Sequence, residues 1–171
     1  MTNQNAPVKV GIIGCGRVTE TRHLPALRRL PQASVVALAD VDRDRLRLVA
    51  DRFRIERRHV DYTALLDDPA VQAVAVCVPA QHHVEVALAA LEAGKHLLIE
   101  KPLALSLDES DRLISRAATF RSKIMVGFNL RWHRLVRHAR EIIQRGVLGP
   151  PQLIHTAFTA STRLRGPVAP W

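Results

Sequence analysis

A doubly wound α/β sheet of Rossmann type is the fold this sequence predicts, and three observations predict it. The apolar run Val8-Lys9-Val10-Gly11-Ile12-Ile13 breaks into Gly14-Cys15-Gly16 and then into a helical pattern. A second apolar run, Ser34-Val35-Val36-Ala37-Leu38-Ala39, ends at an acid, Asp40. Strand and helix patterns then alternate along the chain, the order of a parallel sheet covered on both faces.

The first strand and its glycine turn carry the chemistry. A buried strand, a tight turn and a helix N-terminus together form a pyrophosphate-binding arrangement. Gly14 permits the turn, Gly16 removes a side chain so that backbone N–H groups can approach phosphate oxygens, and the helix dipole favours negative charge. The third position of the glycine pattern is Thr19, a larger residue expected to set the helix slightly off the sheet. Asp40 stands where a dinucleotide fold places a carboxylate to accept hydrogen bonds from the adenosine ribose, after a connection lengthened by Leu30-Pro31-Gln32-Ala33. The plainer alternative is a glycine turn in another kind of α/β domain, with Asp40 as a helix cap.

The remaining elements follow in order. Asp42 can cap a helix with Leu46, Val49, Ala50 and Phe53 at helical spacing. A short strand around His59-Val60 leads to Asp61, a candidate cap for the turn Tyr62–Leu66. Val71–Val78 is nearly continuous in apolar residues, as in a central strand buried on both faces. Pro79-Ala80 breaks it, and Gln81–Ala93 reads as a helix stopped by Gly94. His96–Ile99 is the next strand, followed by Glu100-Lys101-Pro102. Ser106-Leu107-Asp108-Glu109 is a capping box for a helix carrying Leu113, Ile114, Ala117 and Ala118. Ile124–Gly127 is a sixth strand. Leu135, Val136, Ala139, Ile142 and Ile143 then form an apolar helical stripe with Trp132, expected in the core, and the helix ends near Gly146.

Gly149-Pro150-Pro151 reads as a linker, dividing the chain into a dinucleotide-binding domain (1–149) and the start of a truncated α+β domain (150–171). Of that second domain only one strand is expected, Gln152–Ala160, before the loop Ser161–Pro170.

Composition narrows the class. With 47% apolar residues and a mean hydropathy near zero, the chain reads as an ordinary globular protein. No apolar stretch reaches membrane-spanning length and the polar start, Thr2-Asn3-Gln4-Asn5, is no signal peptide, so a cytoplasmic protein is the expectation. Cys15 and Cys77 fall at strand ends and read as small buried residues, not as a disulfide framework. The net charge of +9 is nearly all arginine, scattered over several helices (Arg43, Arg47 and Arg54, then Arg134, Arg137 and Arg140). A nucleic-acid reader would concentrate such charge on one stripe with aromatics to stack bases. Aromatics are only 4%, so a solvated surface is the expectation and nucleic acid is not an expected partner. Adjacent His82 and His83 lack chelating spacing, and no Cys/His set points to a metal.

Several further stretches carry a resemblance: His23-Leu24-Pro25-Ala26-Leu27, Asp61-Tyr62, Val78-Pro79 with His83, Ala93-Gly94-Lys95-His96, Glu100-Lys101-Pro102-Leu103-Ala104, and Gly127-Phe128-Asn129 with Arg131. Together with the glycine turn they resemble the Gfo/Idh/MocA oxidoreductases, named for glucose–fructose oxidoreductase and inositol dehydrogenase. The sequence departs from that family in Thr19, in Val78 where Thr is common, and in Ala80 where Asn is common.

The resemblance implies NAD, with NADP as the alternative, and hydride transfer to or from a sugar, inositol or related polyol. It implies Arg17 and Val18 beside the glycines at the pyrophosphate, and Val78, Pro79, His83, Glu100 and Lys101 on the cofactor side. Lys101 would lie beside the nicotinamide and contact the substrate hydroxyl; its plainer alternative is a surface lysine after a strand. For His83 the alternative is a helix-start residue pairing with backbone. Asn129 and Arg131 would line the substrate pocket with Lys101. The family's second domain would supply an Asp and His for acid–base catalysis, so the resemblance implies that this chain is mainly the cofactor-binding half, inactive alone and a homo-oligomer at full length. The competing reading is a catalytically inactive dinucleotide-binding module, a sensor or remnant.

Overall fold

The computed structural model describes residues 6–157, which fall into two compact units, one ending at Gly127 and one beginning at Phe128. In the first, six parallel strands form one sheet: β1 (Val8–Ile13), β2 (Ala33–Ala39), β3 (Arg57–His59), β4 (Ala73–Val76), β5 (His96–Ile99) and β6 (Ile124–Val126). Their spatial order is β3-β2-β1-β4-β5-β6. The sheet grows one way from β1 to β3, then returns to grow the other way from β4. Right-handed crossovers therefore place the two sets of helices on opposite faces.

Strand alternation produces the two layers of core. Ile12, Leu38 and Ala75 face one side, with Leu24, Leu46 and Val49 packed over them. Ile13, Ala37, Ala39, Val74, Val76, Leu97 and Ile99 face the other, under Leu65, Leu91 and Leu113. The helices are α1 (Leu24–Leu27), α2 (Arg43–Arg52), α3 (Tyr62–Leu66), α4 (His83–Glu92) and α5 (Leu107–Ala117). Caps explain where three of them start. Asp42 accepts from the amides of Asp44 and Arg45, Asp61 from Thr63, and Ser106 from Glu109. The Leu105 amide, one residue before the cap, donates in turn to the Glu109 carboxylate.

α1 continues a helical stretch that opens at residue 17 and widens into a π turn, Thr19–His23. Pro25 has no N–H for the carbonyl one turn back, and the i−5 bond from Leu24 to Thr19 immediately precedes it. The Thr21 hydroxyl donates to the Arg17 carbonyl at 2.7 Å.

Three expectations are corrected here. β4 is shorter than its apolar run: Val71 already belongs to a turn on Asp68, and Val78 lies beyond the ladder. On α5 only Leu113 is buried, whereas Ile114 is 58% exposed and Ala118 is exposed, so its packed stripe is narrower than the sequence pattern. Gln152–Ala160 was expected to be a strand, but residues 152–157 form none; the rest of that segment lies outside the described residues. A strand exists only as a paired ladder, and the described part of the second unit supplies no other strand.

Lys95 and His96 have structural work in the first unit. The Lys95 ammonium is buried and donates to the carbonyls of Asp68 and Val71 at 3.0 and 2.8 Å, closing the turn before β4. His96 Nδ1 accepts the Lys123 amide at 3.0 Å, just before β6.

Candidate functional site

The turn after β1 is held almost atom by atom. Gly14 has φ +97°, and a Cβ there would stand 2.5 Å from the Cys77 carbonyl oxygen, so both its conformation and its packing require glycine. Its amide donates to the Ala39 carbonyl at 2.8 Å, and its own carbonyl accepts the Thr19 hydroxyl at 2.6 Å. Thr19 is wholly buried. It thus ties the helix to the turn instead of setting the two apart.

Asp40 is part of the same construction. Its Oδ2 accepts the Cys15 amide at 2.6 Å and its Oδ1 accepts the Asp42 amide at 2.9 Å. A carboxylate has about four acceptor positions, so capacity for a ribose hydroxyl remains. The helix cap is Asp42, not Asp40. Arg45 Nε donates to the Cys15 carbonyl at 2.8 Å, and its guanidinium pairs with Glu20. Arg52 meets the other Glu20 oxygen at 2.6 Å. Arg45 first and then Arg52 hold the Glu20 carboxyl below the usual carboxylate range.

Beyond these anchored atoms the turn is open. Gly16, Arg17 and Val18 are exposed, and no atom lies within 4 Å of where a Gly16 side chain would begin. The amides opening a helix have no carbonyl one turn back to bond. An open glycine at the head of that helix, beside an anchored carboxylate, fits the pyrophosphate and ribose of a dinucleotide.

On the other side of β1, the loops after β4 and β5 leave the same edge of the sheet. Val78-Pro79 leads into a 3-10 turn, Ala80–His82, and α4 begins at His83. His83 is 2% exposed; its Nε2 lies 2.9 Å from the Val78 carbonyl oxygen and its Nδ1 2.6 Å from that of Pro102. Both ring nitrogens are therefore taken by backbone, which is the plainer of the two alternatives its sequence position left open.

Glu100, at the end of β5, has one carboxylate oxygen 2.8 Å from His23 Nε2, and its other oxygen accepts the Lys101 amide at 3.2 Å. A side chain on Gly127 would come within 3.3 Å of Glu100 Oε1. Lys101 is exposed, and the Lys101-Pro102 peptide is cis. The contacts of His23 and His83 are the main features the sequence left unread. His23 was visible only as part of a motif, since its partner lies 77 residues away.

Cys15 and Cys77 are both free thiols. Burial pushes each up to about 12, helped at Cys15 by the Asp40 carboxylate and at Cys77 by Glu100. Among the described residues no group of His, Cys, Asp and Glu is arranged to hold a metal ion, and no helix is long and apolar enough to cross a membrane.

The second unit has its own 3-10 turn, Asn129–Trp132, followed by α6 (Arg134–Gln144). Asn129 and Arg131 are exposed on that turn. Trp132, expected in the core, is 63% exposed, and no residue of α6 is buried. An apolar stripe is buried only by a second layer, and the described part of this unit supplies none. An open groove lined by Trp132, Leu135, Arg137, His138 and Glu141 follows the helix.

Residues 8–128 match the sequence profile of a family described as an oxidoreductase family with an NAD-binding Rossmann fold. The chain is 34% identical over 147 residues to a myo-inositol 2-dehydrogenase of Thermotoga maritima, covering 86% of this chain and 44% of that protein. It is 35% identical to dTDP-3,4-didehydro-2,6-dideoxy-alpha-D-glucose 3-reductase of Actinomadura kijaniata, covering 95% of this chain and 48% of that protein. Among solved structures, a 3-ketoreductase from Actinomadura kijaniata in complex with TDP-benzene and NADP superposes with a TM-score of 0.75 at 37% identity, covering 82% of this chain and 44% of that one. The chain thus spans a little under half the length of the curated relatives it matches.

Proposed function

The chain belongs to the Gfo/Idh/MocA family of oxidoreductases, and from that premise we propose that it is the cofactor-binding part of an NAD(P)-dependent enzyme acting on a sugar, inositol or related polyol. The observation that carries this reading is the turn at Gly14 and Gly16, anchored by Asp40 and open at the head of a helix. Bound NAD(P) would accept or supply a hydride. The chain's residues bind and orient: the amides opening the helix at residues 16–18 take the pyrophosphate, and Asp40 takes the ribose. Val78 and Pro79 flank the nicotinamide end.

Lys101 has the role of holding the substrate hydroxyl. An ammonium beside a developing alkoxide stabilises its charge and can help move its proton. Asn129 and Arg131, exposed on the 3-10 turn of the second unit, have the role of substrate contacts in this reading. A hydride transfer also needs a placed substrate and exclusion of water; the reading assigns those to sequence outside the family match, and on that basis the 171-residue chain alone binds cofactor without useful turnover.

NAD is the preferred cofactor in this reading. Asp40 would face the additional 2′-phosphate of NADP at close range, and of the first two arginines that follow it, Arg43 and Arg45, the second is committed to Glu20 and the Cys15 carbonyl. Isothermal titration of the chain with NAD and NADP tests this directly, followed by reduced-cofactor formation with polyols and sugars. Saturable NAD binding, tighter than NADP, is the expected result; failure to bind either dinucleotide overturns the reading.

A further inference from the structure

Lys101 is exposed and sits on a loop, so something must fix the backbone that carries it. The loops after β4 and β5 run side by side because their strands are paired neighbours, Val76 opposite Ile99. One imidazole spans them. His83 Nε2 reaches the Val78 carbonyl in the first loop, and Nδ1 reaches the Pro102 carbonyl in the second, the residue next to Lys101.

We propose that His83 is a positioning residue for Lys101, a buried imidazole whose two ring nitrogens meet the Val78 and Pro102 carbonyls and so clamp the two loops together. The proposal rests on the functional reading only for what Lys101 then does. A neutral imidazole has one N–H and one acceptor nitrogen, whereas a carbonyl oxygen can only accept. The ring nitrogen that carries the proton donates to one carbonyl, and the ring fills the space between the two loops in either tautomer. At 2% exposure little water reaches the ring, so its removal leaves the two loops without this shared partner.

The other side of Lys101 is held as well. Glu100, the residue before it, is bound by His23 and by the Lys101 amide. Lys101 therefore has a fixed neighbour on each side, while its own side chain is left free. His83 touches neither the glycine turn nor Asp40 by hydrogen bond, so its loss should loosen the nicotinamide side of the site and leave the adenosine side in place.

The test has two arms, both read without turnover. Long-range nitrogen–proton spectra of the ¹⁵N-histidine-labelled chain, assigned with His83→Gln, should show a His83 ring proton that is hydrogen-bonded to a backbone carbonyl and slow to exchange with water; a rapidly exchanging His83 ring overturns the clamp. In the second arm, acylation of Lys101 by an amine reagent is compared with that of Lys123 in the unaltered chain, in His83→Gln and in His83→Leu. The Lys101 rate should change several-fold in His83→Leu, with His83→Gln intermediate because it keeps one donor. An unchanged Lys101 rate in folded His83→Leu overturns the positioning role, and if that variant does not fold, the spectra of the unaltered chain decide. NAD titration of the unaltered chain runs alongside: absent binding strikes the functional reading, whereas the nitrogen spectra stand independently of it.

Discussion

The Asp40 carboxylate reaches from the end of β2 to the amide of Cys15 in the turn after β1, at 2.6 Å. The acid expected to bind ribose is therefore also a structural part of the phosphate-binding turn. Asp40→Ala should weaken NAD binding by about tenfold or more, since a hydrogen bond to a charged group is worth roughly 1.5–3 kcal/mol. It should also reduce discrimination against NADP. Titration of both dinucleotides checks this, and an unchanged NAD affinity would remove Asp40 from the site.

Two glycines two residues apart should respond in opposite ways. Gly14→Ala places a Cβ against the Cys77 carbonyl in a left-handed backbone and should cost roughly 2–5 kcal/mol of stability. Gly16→Val meets open space, so the protein should keep its fold and lose dinucleotide affinity. Denaturant unfolding and calorimetry of the two variants separate these effects. Normal NAD binding by folded Gly16→Val would show that the phosphate lies elsewhere.

Acid should act through Glu20 and Asp68. Arg45 and Arg52 depress the first, and the Ala70 amide followed by Arg57 depresses the second. A carboxyl with a lowered folded pKa contributes stability fully above its ordinary value, 4.5 for Glu20 and 3.8 for Asp68, and loses it as pH falls through the lower folded value. The melting temperature should therefore drop in that acidic window, and the drop should be shallower in Glu20→Gln. An equally steep drop in that variant would exclude the arginine pair as a source of acid sensitivity.

Both thiols should be unreactive in the folded chain. With pKa values raised to about 12, the thiolate fraction at pH 8 is about one part in ten thousand. Iodoacetamide should leave Cys15 and Cys77 unmodified until denaturant is added, as mass spectrometry would record. Rapid native labelling of Cys15 would contradict its burial.

Much of the first unit was legible because its signals are local. The turn at Gly14, the caps at Asp42, Asp61 and Ser106, and the stop at Gly94 each depend on residues within a few positions of one another. The clamp at His83 was not legible, since its acceptors are backbone carbonyls brought together by strand pairing, 5 and 19 residues away. The same holds for Asp40, whose inward bond depends on the register between β1 and β2. Apolar pattern misled where it counted residues without their cover: at Ile114, at Trp132 and along α6 the side chains fit a buried stripe, and the layer needed to bury them is not among the described residues of their own unit.

Lys95, buried against two carbonyls, has a practical consequence for the chemistry of the whole surface. The chain has only four lysines, Lys9, Lys95, Lys101 and Lys123, because its positive charge is overwhelmingly guanidinium. Guanidinium does not acylate under conditions that modify amines, and Lys95 has two of its three protons engaged out of reach of solvent. Side-chain amine chemistry on the folded protein is thereby confined to three addresses, one of them Lys101. Ligands, inhibitors or partner segments that shield that residue can be followed by simple acyl footprinting, with Lys9 and Lys123 as built-in references.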